Sequence, residues 1–262
     1  MRVKDERLAW AEAKLREYGR LALRYFKQGV RVERKADRSP VTIADRTIEE
    51  RLRRDLARAF PGDAILGEEF GSSPDRGTSY WTIDPIDGTR AFSRGLPTWG
   101  MLLGRVEQGK AVLGACRYPA FNTFLGVGTR TPAYERTDGR RTLLPRAVRP
   151  PKLEDAVLFH GGSSWWFSTK YSRGFQRLMK ICFLERSYGD CYGFLWVFRG
   201  QADAMLEYGV KPWDMVPFAA LASATGRSLT DFSGRPCFTG PEAVLAHPSL
   251  NREIIRLLRQ ET

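Results

Sequence analysis

The 262-residue sequence contains few of the residues on which several enzyme classes depend. It has two histidines, His160 and His247, which cannot populate a histidine-rich metal site or readily supply a phosphohistidine mechanism. We expect both to be structural or to lie at the surface. The four cysteines form no C-x-x-C pair and no zinc-like grouping with histidine. We therefore expect reduced, buried thiols rather than a disulfide framework.

Signatures of other phosphate-handling enzymes are also missing. No cysteine precedes an arginine at the spacing of a cysteine-phosphatase loop, and neither D-x-D nor G-x-x-x-x-G-K-[ST] occurs. No apolar run approaches the roughly 20 residues needed to span a bilayer, and the basic N-terminus lacks the apolar block of a signal peptide. The sequence therefore predicts a cytoplasmic chain.

The net charge of +12 is concentrated in two segments. Residues 1–60 carry 17 Lys/Arg against 10 Asp/Glu, and residues 128–152 carry 7 against 2. Basic helices with interspersed acids are usually solvated faces, and no nucleic-acid-binding motif is present. The sequence therefore does not predict a nucleic-acid partner. The positive charge alone leaves a polyanionic partner open.

Apolar periodicity predicts a two-part chain. Spacings of 3 and 4 predict helices from Leu8 to about Gln28 and from Ile43 to Phe60, followed by short strands through residue 127. We interpret 128–152 as a basic loop and predict alternating strands and helices beyond it. The predicted domains are 1–145, an N-terminal α+β half with metal-binding motifs, and 146–262, a C-terminal α/β half with substrate-side residues.

The stretch from Trp81 to Thr89 carries the strongest chemical signal. An apolar strand delivers Asp84, Pro85 ends the strand hydrogen bonding, and Asp87 follows three positions later. Two carboxylates so placed repel each other unless a cation lies between them, and hard oxygen ligands favour Mg²⁺. Gly88 allows a ligand to approach the backbone closely, and a helix starting at Thr89 would offer N–H groups to a phosphate.

Further acids lie near the ends of predicted elements. Glu68 and Glu69 follow a short strand, Asp45 starts a helix, and Asp214 starts another. The alternative is a surface Asp-Pro turn followed by an Asp-Gly turn. Four widely separated acids at element ends favour the metal site.

These motifs resemble, in order, those of the inositol monophosphatase superfamily. Residues 39–45 are similar to its S-P-V-T-x-A-D segment with Lys35 as the loop lysine, 67–69 to its G-E-E, 84–89 to its D-P-I-D-G-T and 213–214 to its W-D. The resemblance extends over roughly residues 8 to 260 and is greatest to the histidinol-phosphatase branch.

The resemblance implies a fold and a set of residue roles. The fold is a layered α-β-α-β-α sandwich of the inositol monophosphatase / fructose-1,6-bisphosphatase type (α+β or α/β), usually assembled as a homodimer. Two to three Mg²⁺ ions are implied, one held by Glu68, Asp84 and the Ile86 carbonyl, a second by Asp84, Asp87 and Asp214, and a third positioned partly by Glu68. Asp45 and Thr89 would orient the attacking water, and the N–H groups of Gly88 and Thr89 would bind phosphate. Glu69 is not assigned as a direct ligand.

Substrate identity depends on the second half of the chain. Residues 187–194, S-Y-G-D-C-Y-G-F, are similar to a segment of the histidinol-phosphatase branch and include Asp190. With Glu207, which lies at the end of a predicted strand before Asp214, Asp190 is expected on the substrate side. Both acids would complement the ammonium and imidazole of histidinol phosphate. Asp190 could instead cap a helix beginning at Cys191.

Other functions stay open. Within the enzyme class they are an inositol-1-phosphate phosphatase and a broad sugar-phosphate or 3′-nucleotide phosphatase. Outside it the alternative is a polyanion-binding module. Arg227, in place of a usual glycine, and the aromatic stretch 161–168 depart from the branch pattern.

Overall fold

The computed structural model describes residues 5–34, 40–73, 77–148 and 150–260. The chain divides into two compact units, Met1–Leu143 and Leu144–Thr262. The assignment of metal-binding and substrate-side roles to the two halves stays a prediction.

The first unit combines two long helices with an eight-stranded sheet. Its elements are α1 (Glu6–Gln28), β1 (Val32–Arg34), β2 (Pro40–Thr42), α2 (Ile43–Ala59), β3 (Ala64–Gly67), β4 (Gly71–Ser72), β5 (Tyr80–Asp87), α3 (Thr89–Ser93), β6 (Gly100–Glu107), β7 (Lys110–Tyr118), β8 (Thr123–Gly128), β9 (Thr131–Thr137) and β10 (Arg140–Leu143). The sheet order is β10-β9-β8-β7-β6-β5-β3-β4, in which β3 and β5 run parallel.

Helices α1 and α2 bury the apolar faces that their periodicity predicts. Leu15 of α1 and Ile48 of α2 are fully buried in one core with Trp81 of β5. Helix α1 begins after Asp5, whose Oδ1 accepts the N–H of Leu8 at 3.3 Å. Packing of α2 over β5 fixes the position of the helix start, where Asp45 lies.

The second unit has a five-stranded sheet with helices. Its elements are β11 (Val157–His160), α4 (Ser163–Phe167), α5 (Ser172–Ile181), β12 (Leu184–Arg186), α6 (Asp190–Phe198), β13 (Ala204–Tyr208), α7 (Pro212–Thr225), β14 (Ser228–Thr230), β15 (Glu242–Ala246) and α8 (Pro248–Leu258). The sheet order is β12-β11-β13-β15-β14, with β12 and β13 both parallel to β11. Strand β13 is thus central and ends near Glu207.

The interpretation of residues 128–152 as a loop is wrong for much of that segment. Strands β9 and β10 form an antiparallel hairpin there. Asp138 and Gly139 connect them with positive φ angles of 50° and 83°, which suits a two-residue hairpin turn. Ala133 and Tyr134 are buried, while β10 is exposed along its length. Arg140 and Arg141 therefore lie on the edge strand β10, where charge discourages strand-to-strand association.

Two local features of the second unit were not predicted from the sequence. The aromatic stretch 161–168 contains helix α4 and is partly core, because Trp166 is fully buried and stacks on Phe175 at 4.5 Å. Helix α6 begins at Asp190 rather than Cys191, and its N-cap is Gly189, without a side-chain capping bond. The interpretation of Asp190 as a helix cap stays open as an alternative.

The cysteines meet the expectation of burial only in part, and both histidines make structural contacts. None of the four cysteines forms a disulfide; Cys116 and Cys191 are buried, and the other two are half-buried. His160 is 2% exposed and its Nε2 lies 3.0 Å from Glu185 Oε2, while His247 caps α8 by accepting the Ser249 N–H at 3.2 Å. Within the described part of the chain, no helix is both long and apolar enough to cross a bilayer.

Candidate active site

The parallel pairing of β3 with β5 brings two acid-bearing chain segments to one edge of the sheet. Gly67 pairs with Ile83, and the Glu68 N–H donates to the Ile83 carbonyl at 3.1 Å. Glu68 therefore follows the end of β3 directly beside the position at which β5 delivers Asp84. Parallel strands end on the same side, which is why residues 16 positions apart along the chain become neighbours.

A β-bulge at the end of β5 presents Asp84 and Asp87 together. The register of β5 with β6 shifts between these two residues. A carboxylate oxygen of Asp84 and one of Asp87 lie within 4.8 Å of each other. Asp84 is 2% exposed, and its Oδ1 accepts the Ile86 N–H at 3.0 Å, which fixes the carboxylate against the backbone. Bulges commonly re-aim side chains at functional sites.

Asp45 and Thr89 meet although they are distant in sequence. Thr89 Oγ1 lies 3.3 Å from Asp45 Oδ1 and 3.0 Å from the Ile86 carbonyl oxygen. Its single proton can serve only one of these acceptors at a time, and its lone pairs can accept a proton from a water molecule. Asp45 Oδ2 accepts the Thr42 N–H at 2.8 Å, so the carboxylate also completes the capping box in which Thr42 is the N-cap of α2.

Burial changes the acidity of Asp45. Its side chain is fully buried, and desolvation raises its pKa to about 6, with the Glu69 charge contributing in the same direction. Hydrogen bonds from Thr42 oppose this increase without cancelling it. A carboxylate with a pKa near 6 is ionised at neutral pH yet accepts a proton readily.

Gly88 and Thr89 form the start of the short helix α3. Gly88 occupies the N-cap position with φ 88° and ψ 36°, a left-handed conformation that favours glycine. Thr89 follows as the first helical residue, so its N–H has no acceptor within the helix. This geometry is compatible with the predicted phosphate contact, which stays a prediction.

The donor set at this edge fits a hard divalent cation. Glu68, Asp84 and Asp87 offer carboxylate oxygens, and Ile86 offers a carbonyl oxygen. That carbonyl has two lone pairs, so one stays available to a cation even when the Thr89 hydroxyl donates to the other. No nitrogen or sulfur ligand is needed, which suits Mg²⁺ better than zinc.

In the second unit, Glu207 and Asp190 form a separate acidic pair. Glu207 is 8% exposed, and its Oε2 accepts the backbone N–H of Asp190 at 3.2 Å. Burial raises the pKa of Glu207 to about 8, and repulsion from Asp190 adds to the effect. Asp190 itself is exposed, with a φ of 57° that is unusual for a residue other than glycine. A Cβ at Gly161 would overlap the Glu207 carboxylate, so glycine is required there.

Asp214 lies in the first turn of α7. Its Oδ2 accepts the Lys211 N–H at 2.8 Å, the same capping arrangement that Asp45 makes with Thr42 at the start of α2. Lys35, the predicted loop lysine, lies outside the described residues.

Glu49 is a buried acid near the site that the sequence analysis did not single out. It lies on α2, four positions after Asp45, and is fully buried. Its carboxylate accepts backbone N–H groups from the loop that carries Glu68. The available signal was an acid on the same helix face as Asp45, adjacent to the apolar stripe of Ile48 and Leu52.

Comparison with known proteins identifies similar chains. A model of the inositol monophosphatase family matches residues 4–262. The histidinol-phosphatase of Mycobacterium tuberculosis is 31% identical, over 90% of this chain and 91% of that protein. The inositol-1-monophosphatase of Mycobacterium bovis is 31% identical, over 84% of this chain and 78% of that protein.

A solved structure extends the similarity to the fold. The inositol monophosphatase from Zymomonas mobilis superposes with a TM-score of 0.84 at 26% identity, covering 98% of this chain and 99% of that one. This similarity confirms the predicted layered α/β fold class.

Proposed function

This chain belongs to the inositol monophosphatase family and is a phosphatase of that family, and on this premise we propose that it hydrolyses histidinol phosphate with Mg²⁺. The observation that carries the proposal is the pair of Asp84 and Asp87, which have carboxylate oxygens within 4.8 Å of each other at the end of β5. Glu68 follows the end of the neighbouring strand β3, and Thr89 forms a hydrogen bond with Asp45 two positions after Asp87. Enzymes of this family depend on Mg²⁺ in general.

The acids have distinct proposed roles in metal binding. Glu68, Asp84 and the Ile86 carbonyl would hold one ion; Asp84, Asp87 and Asp214 would hold a second; Glu68 would help to position a third. When bound, Mg²⁺ would supply positive charge that lowers the pKa of water, neutralises phosphoryl oxygens and stabilises the departing alkoxide. The protein contributes the position of every ligand, because phosphoryl transfer depends on positioning and charge rather than on covalent chemistry.

Asp45 and Thr89 are proposed to orient the attacking water. With Asp45 ionised, the Thr89 hydroxyl donates towards it across 3.3 Å. The Thr89 oxygen then presents a lone pair to a water proton, which fixes the direction of the water oxygen. Burial raises the pKa of Asp45, so its carboxylate is basic enough to accept a proton through the Thr89 hydroxyl. The Gly88 and Thr89 N–H groups would hold the phosphate in place.

The substrate is proposed from the acidic pair of the second unit. Histidinol phosphate carries an ammonium and an imidazole beside its phosphate ester. Asp190, exposed and held by its backbone bond to Glu207, offers a carboxylate to such a cation. Similarity to histidinol-phosphatases over 90% of the chain supports this choice. The second candidate is inositol-1-phosphate, favoured by the 31% identity to an inositol-1-monophosphatase.

We also propose that the chain works as a cytoplasmic homodimer, as the family resemblance implies. Light scattering of the purified protein tests the dimer directly, and a mass corresponding to one 29.8 kDa chain would contradict it.

The deciding experiment is a phosphate-release screen of the purified protein with and without Mg²⁺. It compares histidinol phosphate, inositol-1-phosphate, fructose bisphosphate and a 3′-nucleotide. Asp190→Asn should slow histidinol phosphate turnover by at least about tenfold, as expected for a lost charge-assisted hydrogen bond. Its effect on inositol-1-phosphate should be small.

The matched control is Asp203→Asn. It makes the same chemical change at the opposite end of β13, where Asp203 Oδ2 accepts the Val157 N–H at 2.8 Å. Equal losses on both substrates in Asp190→Asn would indicate a structural role. A wild-type preference for inositol-1-phosphate would refute the histidinol phosphate assignment.

A further inference from the structure

Glu49 combines complete burial with a formal charge. None of its side chain is exposed, although an ionised carboxylate is costly to bury unless it is paired and hydrogen-bonded. Its Oε1 pairs with Arg53 Nε at 2.7 Å, a four-residue spacing that helices commonly use for ion pairs. If Glu49 only stabilised α2, its remaining hydrogen-bonding capacity would be directed along that helix.

The carboxylate instead binds the loop that joins β3 to β4. Glu49 Oε2 accepts the Glu69 N–H at 2.7 Å, and Oε1 accepts the Phe70 N–H at 3.3 Å. Arg53 extends the same contact by donating to the Gly71 carbonyl. The loop of residues 68–70 is therefore fixed from α2 at consecutive backbone positions, and Glu68 is the first residue of that loop.

Gly67 leaves the space that this arrangement needs. A Cβ at Gly67 would overlap Glu49 Oε1 and approach the Arg53 guanidinium. Gly67 also pairs with Ile83 of β5, immediately before Asp84. The Glu49 carboxylate thus lies against the end of β3, from which Glu68 emerges beside Asp84 of β5.

We propose that Glu49 is a positioning residue that sets the affinity of the site for Mg²⁺ by fixing the loop that carries Glu68. The inference depends on the proposed function, since it assigns Glu68 to the metal. Glu49 and Asp45 lie one turn apart on α2, so the same helix orients the water-positioning acid and holds the metal-binding loop. Residues that orient metal ligands typically change metal affinity by about 10- to 100-fold when they are replaced.

The test is Glu49→Gln, which keeps the size of the side chain. In either orientation the amide NH₂ group faces hydrogen-bond donors, which are the Glu69 N–H in one case and the Arg53 and Phe70 N–H groups in the other. At least one hydrogen bond is therefore lost. The Mg²⁺ concentration for half-maximal phosphate release should rise by about tenfold or more, and turnover at saturating Mg²⁺ should stay close to that of the wild type. Electron paramagnetic resonance with Mn²⁺, without substrate, should show the same weakening.

Glu12→Gln is the matched control. Glu12 is also an acid of the first unit, with Oε2 accepting from the Tyr134 hydroxyl and Oε1 from Arg136 Nε, both at 2.6 Å. Its partners lie on β9, four strands from β5 in the sheet. Glu12→Gln should lower the melting temperature without changing Mg²⁺ or Mn²⁺ affinity. Unchanged affinity in Glu49→Gln, or equal weakening in Glu12→Gln, would overturn the proposal.

A double-mutant cycle keeps the test decisive if Glu49→Gln is unstable. Gly67→Ala should weaken Mn²⁺ binding in the wild-type background, because its methyl group displaces Glu49. In a Glu49→Ala background the methyl group has room, so the same change should have little further effect; additive losses would contradict the contact. If the wild type shows no Mg²⁺-dependent phosphate release, the proposed function fails, and the Mn²⁺ measurements still decide the role of Glu49.

Discussion

The pH dependence of folding stability offers a direct test of the buried acid Glu207. The pKa of Glu207 is raised from the ordinary glutamate value of 4.5 to about 8 in the folded chain, chiefly by burial and then by repulsion from Asp190. Below pH 4.5 the side chain is protonated in both states and contributes no pH dependence. Between these values the unfolded chain ionises first and binds fewer protons, so folding stability falls as the pH rises.

The size of the effect follows from the two pKa values. They differ by about 3.5, and each unit corresponds to about 1.36 kcal/mol. The full loss on passing from pH 4.5 to above pH 8 is therefore at most about 5 kcal/mol. Local water penetration reduces this figure, and we expect on the order of 3 kcal/mol.

The perturbation is Glu207→Gln, which removes the titration and keeps the side-chain volume. Urea unfolding of the metal-free protein in EDTA, from pH 5 to 9, gives the free energy of unfolding of each form. The stability of the variant relative to the wild type should increase by about 3 kcal/mol between pH 5 and 9. The amide of the variant faces the N–H groups of Asp190 and Tyr208, which lowers its stability by an amount that does not depend on pH. Comparing how the free energy of unfolding of each form changes with pH removes this constant amount.

Glu154→Gln, at an exposed side chain of the second unit, is the control and should follow the wild-type pH dependence. A difference between Glu207→Gln and the wild type that is constant with pH would refute the assignment. It would mean that Glu207 ionises at the same pH in the folded and unfolded states.

Three further outcomes follow from the first unit. Asp84→Asn should abolish Mg²⁺-dependent phosphate release while circular dichroism shows an unchanged fold. Near-native turnover at saturating Mg²⁺ would contradict the proposed role of Asp84 as a ligand of two ions. Thr89→Ala should lower kcat by about 10²-fold or more with little change in metal affinity. An unchanged kcat with a raised KM would limit Thr89 to substrate binding. Because the pKa of Asp45 is raised to about 6, activity should decline as the pH falls through that value, and a profile that stays flat to pH 5 would contradict a role for its ionised form.

The outline of the fold and the candidate acids could be predicted from local sequence. The spacing of apolar residues identified α1 and α2, because amphipathic periodicity directly reflects which helix face is buried. The apolar run beginning at Trp81 predicted a buried strand that carries Asp84, and β5 is such a strand. The predicted end at Pro85 is wrong, because β5 continues through a bulge to Asp87. The family resemblance rests on the same local motifs, since each is a short stretch at the end of an element.

The sequence was misleading at the β9–β10 hairpin, where charged residues hid the alternation of apolar and polar positions that is typical of strands. The β9–β10 hairpin was interpreted as a loop because its basic residues outnumber the two buried positions at Ala133 and Tyr134. Periodicity with so few apolar positions does not separate an edge strand from a loop. Neighbouring strands supply the missing hydrogen bonds, and these depend on the assembled sheet.

Only the tertiary structure decided which acids act together. Thr89 and Asp45 are 44 positions apart, and Glu49 binds a loop 20 positions away. Local sequence determines where a helix or strand forms, but packing of α2 over β5 brings these side chains within hydrogen-bonding distance. The raised pKa values of Asp45 and Glu207 have the same origin, because removal from water depends on the neighbours that folding places around each carboxyl group.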